Sequence, residues 1–186
     1  MRRLAWLLFT LGACSPAGPA ELAPVFVVLC PDVDPEQPPT PCCTAFALGS
    51  QVVTANHCAP KDAVPLVSRK QWTETSGAYS VGHVTLREEG RDIAWLDAPL
   101  DAPGLAMGRP VAEGDTVRAL TRSGAKEGLV GQLAGAFWQS TADTHFGDSG
   151  AAIVDASGAA VGVLSRCLTT SGKDCDPNTG IFAELP

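Results

Sequence analysis

The chain has 186 residues, of which 45% are hydrophobic, and a formal net charge of −7. This length fits one compact domain or two small halves that share a core. The acidic balance and the lack of a basic cluster exclude a typical nucleic-acid-binding surface, so no nucleic-acid partner is expected.

The N-terminus has the pattern of an export signal. Arg2-Arg3 precedes a short apolar stretch at residues 4–11, which is too short to anchor the chain across a bilayer. The next residues, Leu11-Gly12-Ala13-Cys14, resemble the lipobox of bacterial lipoprotein signals. The resemblance implies that residues 1–13 are a signal peptide and that Cys14 carries a lipid anchor, on the periplasmic face or at the cell surface. The alternative is an ordinary secretory signal that is cut nearby.

The segment after the signal is predicted to be a tether. Residues 14–41 are rich in Pro, Ala and acidic residues, which disfavour a helix or a central strand. An apolar run at residues 25–29 interrupts the segment and is a candidate first strand, pinned by Cys30. A folded domain is expected to begin at residue 42.

From residue 42 to residue 186 the sequence predicts an all-β domain, because short apolar strands alternate with turns rich in Gly, Pro, Asn and Asp. The predicted strands are 44–48, 51–55, 64–67, 80–86 and 91–96 in a first half, and 116–120, 129–133, 151–154, 160–165 and 180–183 in a second. Residues 99–110 contain several prolines and glycines and are predicted to connect the halves.

Cysteine usage supports export. When Cys14 is set aside, six of the seven cysteines remain, and this even number suggests three disulfides. The six are Cys30, Cys42, Cys43, Cys58, Cys167 and Cys175. Their spacing alone leaves the pairing open. It contains no paired Cys-x-x-Cys pattern, so neither a metal nor a cofactor is expected.

Three residues form a candidate site for nucleophilic catalysis. His57 closes one predicted strand, Asp92 opens another, and Ser149 lies in the glycine turn Gly147-Asp148-Ser149-Gly150. An imidazole accepts a serine proton near neutral pH, and a buried carboxylate fixes the tautomer of the imidazole. The backbone N–H groups of Gly147 and Ser149 are candidates to bind one oxyanion.

Three motifs, in this order, together resemble the trypsin/chymotrypsin-like serine protease family. They are Val52–Cys58, Arg91–Leu96 and Gly147–Gly150. The resemblance covers about residues 42–182. It implies two packed six-stranded antiparallel β-barrels, at about 42–100 and 105–186, with the catalytic cleft between them. The histidine and the aspartate are then expected from the first barrel and the serine from the second.

The resemblance also assigns supporting residues around the serine. It gives the oxyanion hole to Gly147 and Ser149, and it matches Ser165 to the serine that hydrogen-bonds the catalytic aspartate. Some bacterial relatives pair the aspartate before the serine with an arginine from an Arg-Ser-Gly turn. Arg122 lies in such a turn, so an ion pair between Asp148 and Arg122 is expected to hold the loop without an activation cleavage.

The family's disulfide beside the histidine narrows the cysteine pairing. Only one of two adjacent strand residues can face the histidine's neighbouring cysteine. The sequence around the pair favours Cys43–Cys58, with Cys42 nearly as suitable. The remaining pairs are then expected to be Cys30–Cys42 and Cys167–Cys175.

The resemblance predicts a specificity pocket. Asp143, six residues before the serine, matches the pocket floor of members that cut after Arg or Lys. Ser165, Cys167 and Gly180 match other parts of the pocket. Two departures from the family lie at the mouth: Arg166 is placed to neutralise Asp143, and the Cys167 side chain narrows the opening.

The leading hypothesis is a lipid-anchored, exported, monomeric serine endopeptidase that cleaves peptide or protein substrates through an acyl-enzyme. One alternative is a catalytically silent binding protein on the same fold, which the obstructing Arg166 and Cys167 weakly favour. The other is an esterase-like hydrolase with a restricted pocket. His145 is interpreted as a loop histidine, and Asp174-x-Asp176-x-Asn178 as a turn rather than a calcium site.

Overall fold

The computed structural model describes residues 25–30, 39–69, 79–100, 103–132 and 135–186. The expected signal peptide, Cys14 and most of the expected tether lie outside these residues. The helices in the described ranges are two short 3-10 helices, Asn56–Cys58 and Glu89–Arg91. Within the same ranges, no helix is long and apolar enough to cross a membrane.

The first six strands close into one antiparallel barrel. They are β1 (Val25–Cys30), β2 (Thr40–Leu48), β3 (Gln51–Ala55), β4 (Ala63–Ser68), β5 (Ser80–Glu88) and β6 (Ile93–Asp97). Around the barrel they follow the order β1-β2-β3-β6-β5-β4. Successive side chains of a strand point to opposite faces of the sheet. Val52 and Leu96 therefore fill the barrel interior, whereas their neighbours Val53 and Trp95 belong to a core shared with the second half.

The remaining six strands close into a second barrel. They are β7 (Thr116–Thr121), β8 (Gly124–Gln132), β9 (Phe137–Ser140), β10 (Ala152–Val154), β11 (Ala160–Cys167) and β12 (Gly180–Glu184). Their order is β10-β11-β12-β9-β8-β7. All pairings in both barrels are antiparallel, so the predicted all-β fold of two six-stranded barrels is confirmed.

β1 shows that the first barrel extends N-terminal to residue 42, where the sequence placed its start. β1 pairs with β2 on one side and with β4 on the other, and so closes the barrel. Its side chains from Val25 to Leu29 are buried. The apolar run at 25–29 is therefore barrel core rather than part of a tether.

The connector between the barrels packs on both of them. The Gly104 N–H donates to the Gly49 carbonyl at 3.0 Å, and the Leu105 N–H donates to the Ala47 carbonyl at 2.9 Å. Further on, Met107 bridges to Ala160 at the start of β11. The connector thus lies against the β2–β3 hairpin of one barrel and against β11 of the other.

A glycine in the connector tests this packing. A Cβ on Gly104 would overlap the backbone of Ala47, whereas no atom lies within 4 Å of a Cβ built on Gly131 in β8. We expect Gly104→Ala to lower the free energy of unfolding by about 1–3 kcal/mol. The matched control Gly131→Ala should change it by less than about 0.5 kcal/mol. Urea unfolding measures both, and equal stabilities would contradict the close approach.

Candidate active site

The candidate histidine and aspartate come together because their strands are neighbours. β3 and β6 run antiparallel with Ala55 opposite Ile93, so the end of β3 meets the start of β6. His57 lies in the 3-10 helix after β3, and Asp92 precedes β6 in a left-handed conformation with φ 56° and ψ 42°. The Asn56 N–H donates to the Asp92 carbonyl at 2.9 Å and joins the two segments.

The Asp92 carboxylate accepts three hydrogen bonds. His57 Nδ1 lies 2.8 Å from Oδ2, the His57 backbone N–H donates to Oδ1 at 3.0 Å, and the Ser165 hydroxyl donates to Oδ2 at 2.6 Å. Burial alone would raise the pKa of Asp92. These hydrogen bonds and the His57 charge lower it by a larger amount, so the pKa lies below its ordinary value. An ionised Asp92 keeps the proton of the neutral ring on Nδ1, which leaves His57 Nε2 as an acceptor.

Arg87 on β5 holds the segment that carries His57. Its Nη1 donates to Asn56 Oδ1 at 2.9 Å and to the Ala59 carbonyl, and its Nη2 donates to the Lys61 carbonyl at 3.1 Å. These acceptors lie on both sides of His57 along the chain. Sequence reasoning missed Arg87, because nothing local to β5 shows which backbone its side chain reaches.

Ser149 lies in a loop of the second barrel that docks on β2 of the first. The Thr44 N–H donates to the Ser149 carbonyl at 2.7 Å, and the Thr44 hydroxyl donates to the Gly147 carbonyl at 3.0 Å. Gly147 and Gly150 have positive φ values of 91° and 86°. A Cβ on Gly150 would overlap the Thr44 carbonyl, so both the turn and the docking require glycine there.

His57 and Ser149 line one cavity with a volume of about 240 Å³. The other residues that line it are Thr144, His145, Phe146, Leu164, Ser165, Arg166, Cys167 and Cys175. Within the described ranges, the backbone N–H groups of Gly147 and Ser149 donate to no protein acceptor. Two unpaired donors beside a serine hydroxyl can stabilise an oxyanion.

Asp148 is 3% exposed, and its carboxylate accepts the His145 backbone N–H at 2.9 Å. The expected ion pair with Arg122 does not form: both side chains are described, and no salt bridge joins them. Arg122 Nη2 instead donates to the Phe146 carbonyl at 3.2 Å. Burial raises the pKa of Asp148 above its ordinary value, although the His145 hydrogen bond and the Arg122 charge offset part of the rise.

Asp143 does not lie at the floor of the cavity. Its side chain is 54% exposed, and its carboxylate lies 3.8 Å from His145 Nε2. The next residue, Thr144, is 2% exposed and lines the cavity. Burial alternates along this segment, with Ala142 and Thr144 buried and Asp143 and His145 exposed, so Asp143 faces outward. The prediction that Asp143 forms the floor of the pocket is therefore wrong.

The other expected pocket residues lie at or behind the cavity wall. Cys167 lines the cavity and pairs with Gly180 between β11 and β12. A Cβ on Gly180 would approach the Thr144 hydroxyl at 3.4 Å, so Gly180 supports the wall from behind. Arg166 lines the cavity too, but its guanidinium lies over the Phe137 ring, 5.5 Å from the centroid, and it has no carboxylate partner within the described chain.

The described residues contain three disulfides. They are Cys30–Cys42, Cys43–Cys58 and Cys167–Cys175, the pairs that the sequence favours. Cys43–Cys58 joins β2 to the helix that carries His57, and Cys167–Cys175 closes a loop at the cavity wall. His57, Cys43 and Cys58 bring three potential metal-ligand atoms together, but both sulfurs belong to one disulfide.

Comparison with known families gives one assignment. The family model for the trypsin-like peptidase domain matches residues 43–163. A comparison with curated protein sequences gives no match.

Solved structures share the fold. The HtrA-type protease AlgW with a tripeptide is similar at a TM-score of 0.69 and 20% identity, over 90% of this chain and 58% of that one. The Rv3671c protease from M. tuberculosis, in its active form, gives a TM-score of 0.65 and 19% identity, over 96% and 90% of the two chains. This chain spans 58–60% of the length of the AlgW chains. Identities this low establish the fold alone.

The buried Asp148 carboxyl makes stability depend on pH. A carboxyl whose pKa is raised in the folded state destabilises the fold as the pH rises from its unfolded to its folded pKa. Asp148→Asn removes the charge and keeps an oxygen that can accept the His145 N–H. We therefore expect this variant to gain stability relative to the wild type between about pH 2 and about pH 7, measured by urea unfolding at each pH.

Asp155→Asn is a control of opposite sign. Burial alone would raise the pKa of Asp155. Hydrogen bonds from Ser157, Ala159 and Gly158 lower it by a larger amount, so the net shift of the pKa is downward. Its charge stabilises the fold above the unfolded pKa, and this stabilisation is lost as the pH falls through the folded pKa. Asp155→Asn should thus lose stability relative to the wild type as the pH rises. A difference between Asp148→Asn and the wild type that does not vary with pH would contradict the raised pKa.

Proposed function

The chain belongs to the trypsin-like peptidase family, and we propose that it is a serine endopeptidase that acts through an acyl-enzyme on Ser149. One observation carries the proposal: His57, whose ring is hydrogen-bonded to Asp92, lines the same cavity as Ser149. The cavity also adjoins the loop in which Gly147 and Ser149 present unpaired N–H groups.

In the proposed mechanism, Ser149 Oγ attacks the peptide carbonyl carbon while His57 Nε2 takes the hydroxyl proton. The carbonyl oxygen becomes an oxyanion that accepts hydrogen bonds from the Gly147 and Ser149 N–H groups. The C–N bond then breaks, and the leaving amine takes the proton from His57. Water hydrolyses the resulting ester in the same way: His57 takes a proton from water and returns one to Ser149.

Asp92 supports both halves of this cycle. Its bonds to the ring and to the backbone N–H of His57 fix the imidazole in orientation and tautomer. Its lowered pKa keeps it ionised, so it stabilises the imidazolium that forms. Ser165 reaches across from β11 and donates to the same carboxylate at 2.6 Å.

The proposed substrates are peptides or proteins. The AlgW structures contain a decapeptide or a tripeptide, which supports peptide binding by this fold. We further propose that the enzyme is monomeric, exported and anchored to a bacterial membrane through Cys14. The three disulfides support export, since such bonds persist in oxidising compartments.

A fluorophosphonate probe tests the nucleophile. We expect a covalent adduct at Ser149 in the wild type, located by peptide mass mapping, and its loss in Ser149→Ala. In His57→Ala, the rate of adduct formation should fall by at least about 10³-fold, since the general base is removed. Ser157→Ala, in an exposed turn of the second barrel, is the matched control and should label as the wild type does.

The same samples separate the alternatives. A folded wild type with no adduct and no turnover would support a silent binding protein. An adduct with ester turnover and no peptide turnover would support the restricted esterase.

The cavity lining bears on specificity. Cleavage after Arg or Lys is expected from Asp143, but the lining contains no carboxylate and includes Arg166. His145 also lines the cavity, but its ring nitrogens lie 3.8 Å and 3.7 Å from the carboxylates of Asp143 and Asp174, so Arg166 carries the argument. A cation in a partly enclosed cavity attracts a carboxylate and repels another cation. The proposed preference is therefore for Glu or Asp before the scissile bond.

Peptide substrates that differ only at this residue measure the preference. We expect kcat/KM for Glu to exceed that for Lys by about tenfold or more, and Arg166→Gln to reduce the ratio by about tenfold, which corresponds to one charge interaction of about 1.4 kcal/mol. Arg109→Gln is the matched control, because its guanidinium pairs with Asp115 away from the cavity. A preference for Lys or Arg that is lost in Asp143→Ala would refute the proposal.

A further inference from the structure

The two peptide groups that flank Gly147 are held from different barrels. On one side, Arg122 Nη2 from the β7–β8 turn donates to the Phe146 carbonyl at 3.2 Å. On the other side, the hydroxyl of Thr44 on β2 donates to the Gly147 carbonyl at 3.0 Å. The two carbonyls on either side of the Gly147 N–H are thus fixed by two side chains that are distant in sequence.

The bond from Arg122 to the Phe146 carbonyl determines the direction of the Gly147 N–H. In a trans peptide the C=O and the N–H point in opposite directions, and the described chain has no cis peptide. Because the Phe146 carbonyl is turned toward Arg122, the Gly147 N–H is turned away from it. Arg122 does not line the cavity, whereas Phe146 and Ser149 do. The Gly147 N–H is therefore directed away from Arg122, and no described residue accepts it.

Because residue 147 is glycine, the peptide before it needs contacts from other parts of the chain to keep one orientation. Its φ of 91° is accessible mainly to glycine, and the same freedom lets the preceding peptide rotate as a unit. In the rotated state the Phe146 carbonyl would replace the N–H donor and would repel an oxyanion. Arg122 also packs directly on Gly147, where a Cβ would overlap its guanidinium.

The hydrogen bonding of Arg122 points to the same role. Its Nε is buried and has no hydrogen-bond partner among the described residues. A buried N–H without a partner destabilises a fold, so a stable turn alone does not account for the side chain. The bond to Phe146 and the charge near Asp148 are the interactions that place the guanidinium in the loop.

We propose that Arg122 and Thr44 are positioning residues that together keep the Gly147 N–H directed at the transition-state oxyanion, Arg122 by holding the 146–147 peptide and Thr44 by holding the 147–148 peptide that follows it. The inference rests on the proposed function, since it assigns these side chains to that reaction. Neither residue touches the substrate; both act through Gly147. Thr44 is well suited to this role because it is fully buried and its carbonyl accepts the Thr54 hydroxyl at 2.7 Å.

The first test is kinetic. Loss of one oxyanion donor lowers kcat by about 10²–10³-fold, so we expect about 10²-fold for Arg122→Met, and about tenfold for Thr44→Val, with KM changed by less than about threefold. Arg118→Met on β7 is the matched control for the arginine. Thr85→Val is the control for the threonine, because it loses one hydroxyl bond, to the Trp95 carbonyl. Both controls should keep the wild-type kcat.

The second test measures binding in the oxyanion hole directly. A peptide boronic acid forms a tetrahedral adduct on Ser149 that places an oxygen in the oxyanion hole. Its affinity should fall in parallel with kcat in Arg122→Met, whereas the affinity of a plain peptide for the same variant in a Ser149→Ala background should change by less than about threefold. Arg122→Lys, which keeps the charge and one donor, should recover part of both losses.

Each outcome of these two tests either supports or overturns the proposal. Wild-type kcat and boronate affinity in folded Arg122→Met and Thr44→Val would overturn the proposal while leaving the proposed function intact. Equal losses of boronate and plain-peptide affinity would also overturn it, since they indicate general damage to the cavity. Absence of turnover and of a fluorophosphonate adduct in the wild type would instead refute the proposed function, and this inference with it. If Arg122→Met does not fold, Thr44→Val and Arg122→Lys decide alone.

Discussion

The candidate site depends on one contact between the barrels, the docking of the Ser149 loop on β2. Each barrel is closed and pairs its strands within itself, so neither sheet fixes the position of the other. The Thr44 N–H bond to the Ser149 carbonyl, at 2.7 Å, fixes the Ser149 loop on β2 in addition to the shared core, and Gly150 permits it by lacking a Cβ. The Ser165 bond to Asp92 crosses the same interface at 2.6 Å. These contacts make one site out of two self-contained barrels.

Two carboxyl groups near the site show how local hydrogen bonding sets the direction of a pKa shift. Burial raises the pKa of both Asp92 and Asp148. Asp92 accepts bonds from two side chains and one backbone N–H, and its pKa ends below the ordinary value. Asp148 is more deeply enclosed, accepts the His145 N–H and forms no ion pair with any described residue. Its pKa lies above the ordinary value. The hydrogen bonds of Asp92 favour its ionised form beside the His57 ring, whereas the Asp148 carboxyl group caps the His145 N–H and shapes the loop.

The sequence contains enough to predict the fold and the chemical groups, because a histidine that ends a strand, an aspartate that begins one and a glycine turn are local patterns. It cannot show which of two neighbours faces a cavity: Thr144 rather than Asp143 points inward, because packing across the barrel makes that choice. Nor can it place a long side chain. Arg122 reaches from the β7–β8 turn toward the loop that contains Asp148, but that carboxylate accepts a backbone N–H and the arginine binds the Phe146 carbonyl.

The candidate catalytic groups and the disulfide-closed wall of the cavity lie in different parts of the chain. His57 and Asp92 lie beside the ends of β3 and β6, Ser149 lies in the loop before β10, and Cys43–Cys58 joins the helix that carries His57 to β2. The far wall is a loop without strands, so a second disulfide and a few backbone bonds, such as Leu168 N–H to the Thr179 carbonyl at 3.3 Å, hold it. Leu168, at the start of this loop, is 50% exposed. The hydrogen bonds that hold His57 and Asp92 come from other parts of the chain, so this loop can vary in sequence without disturbing them.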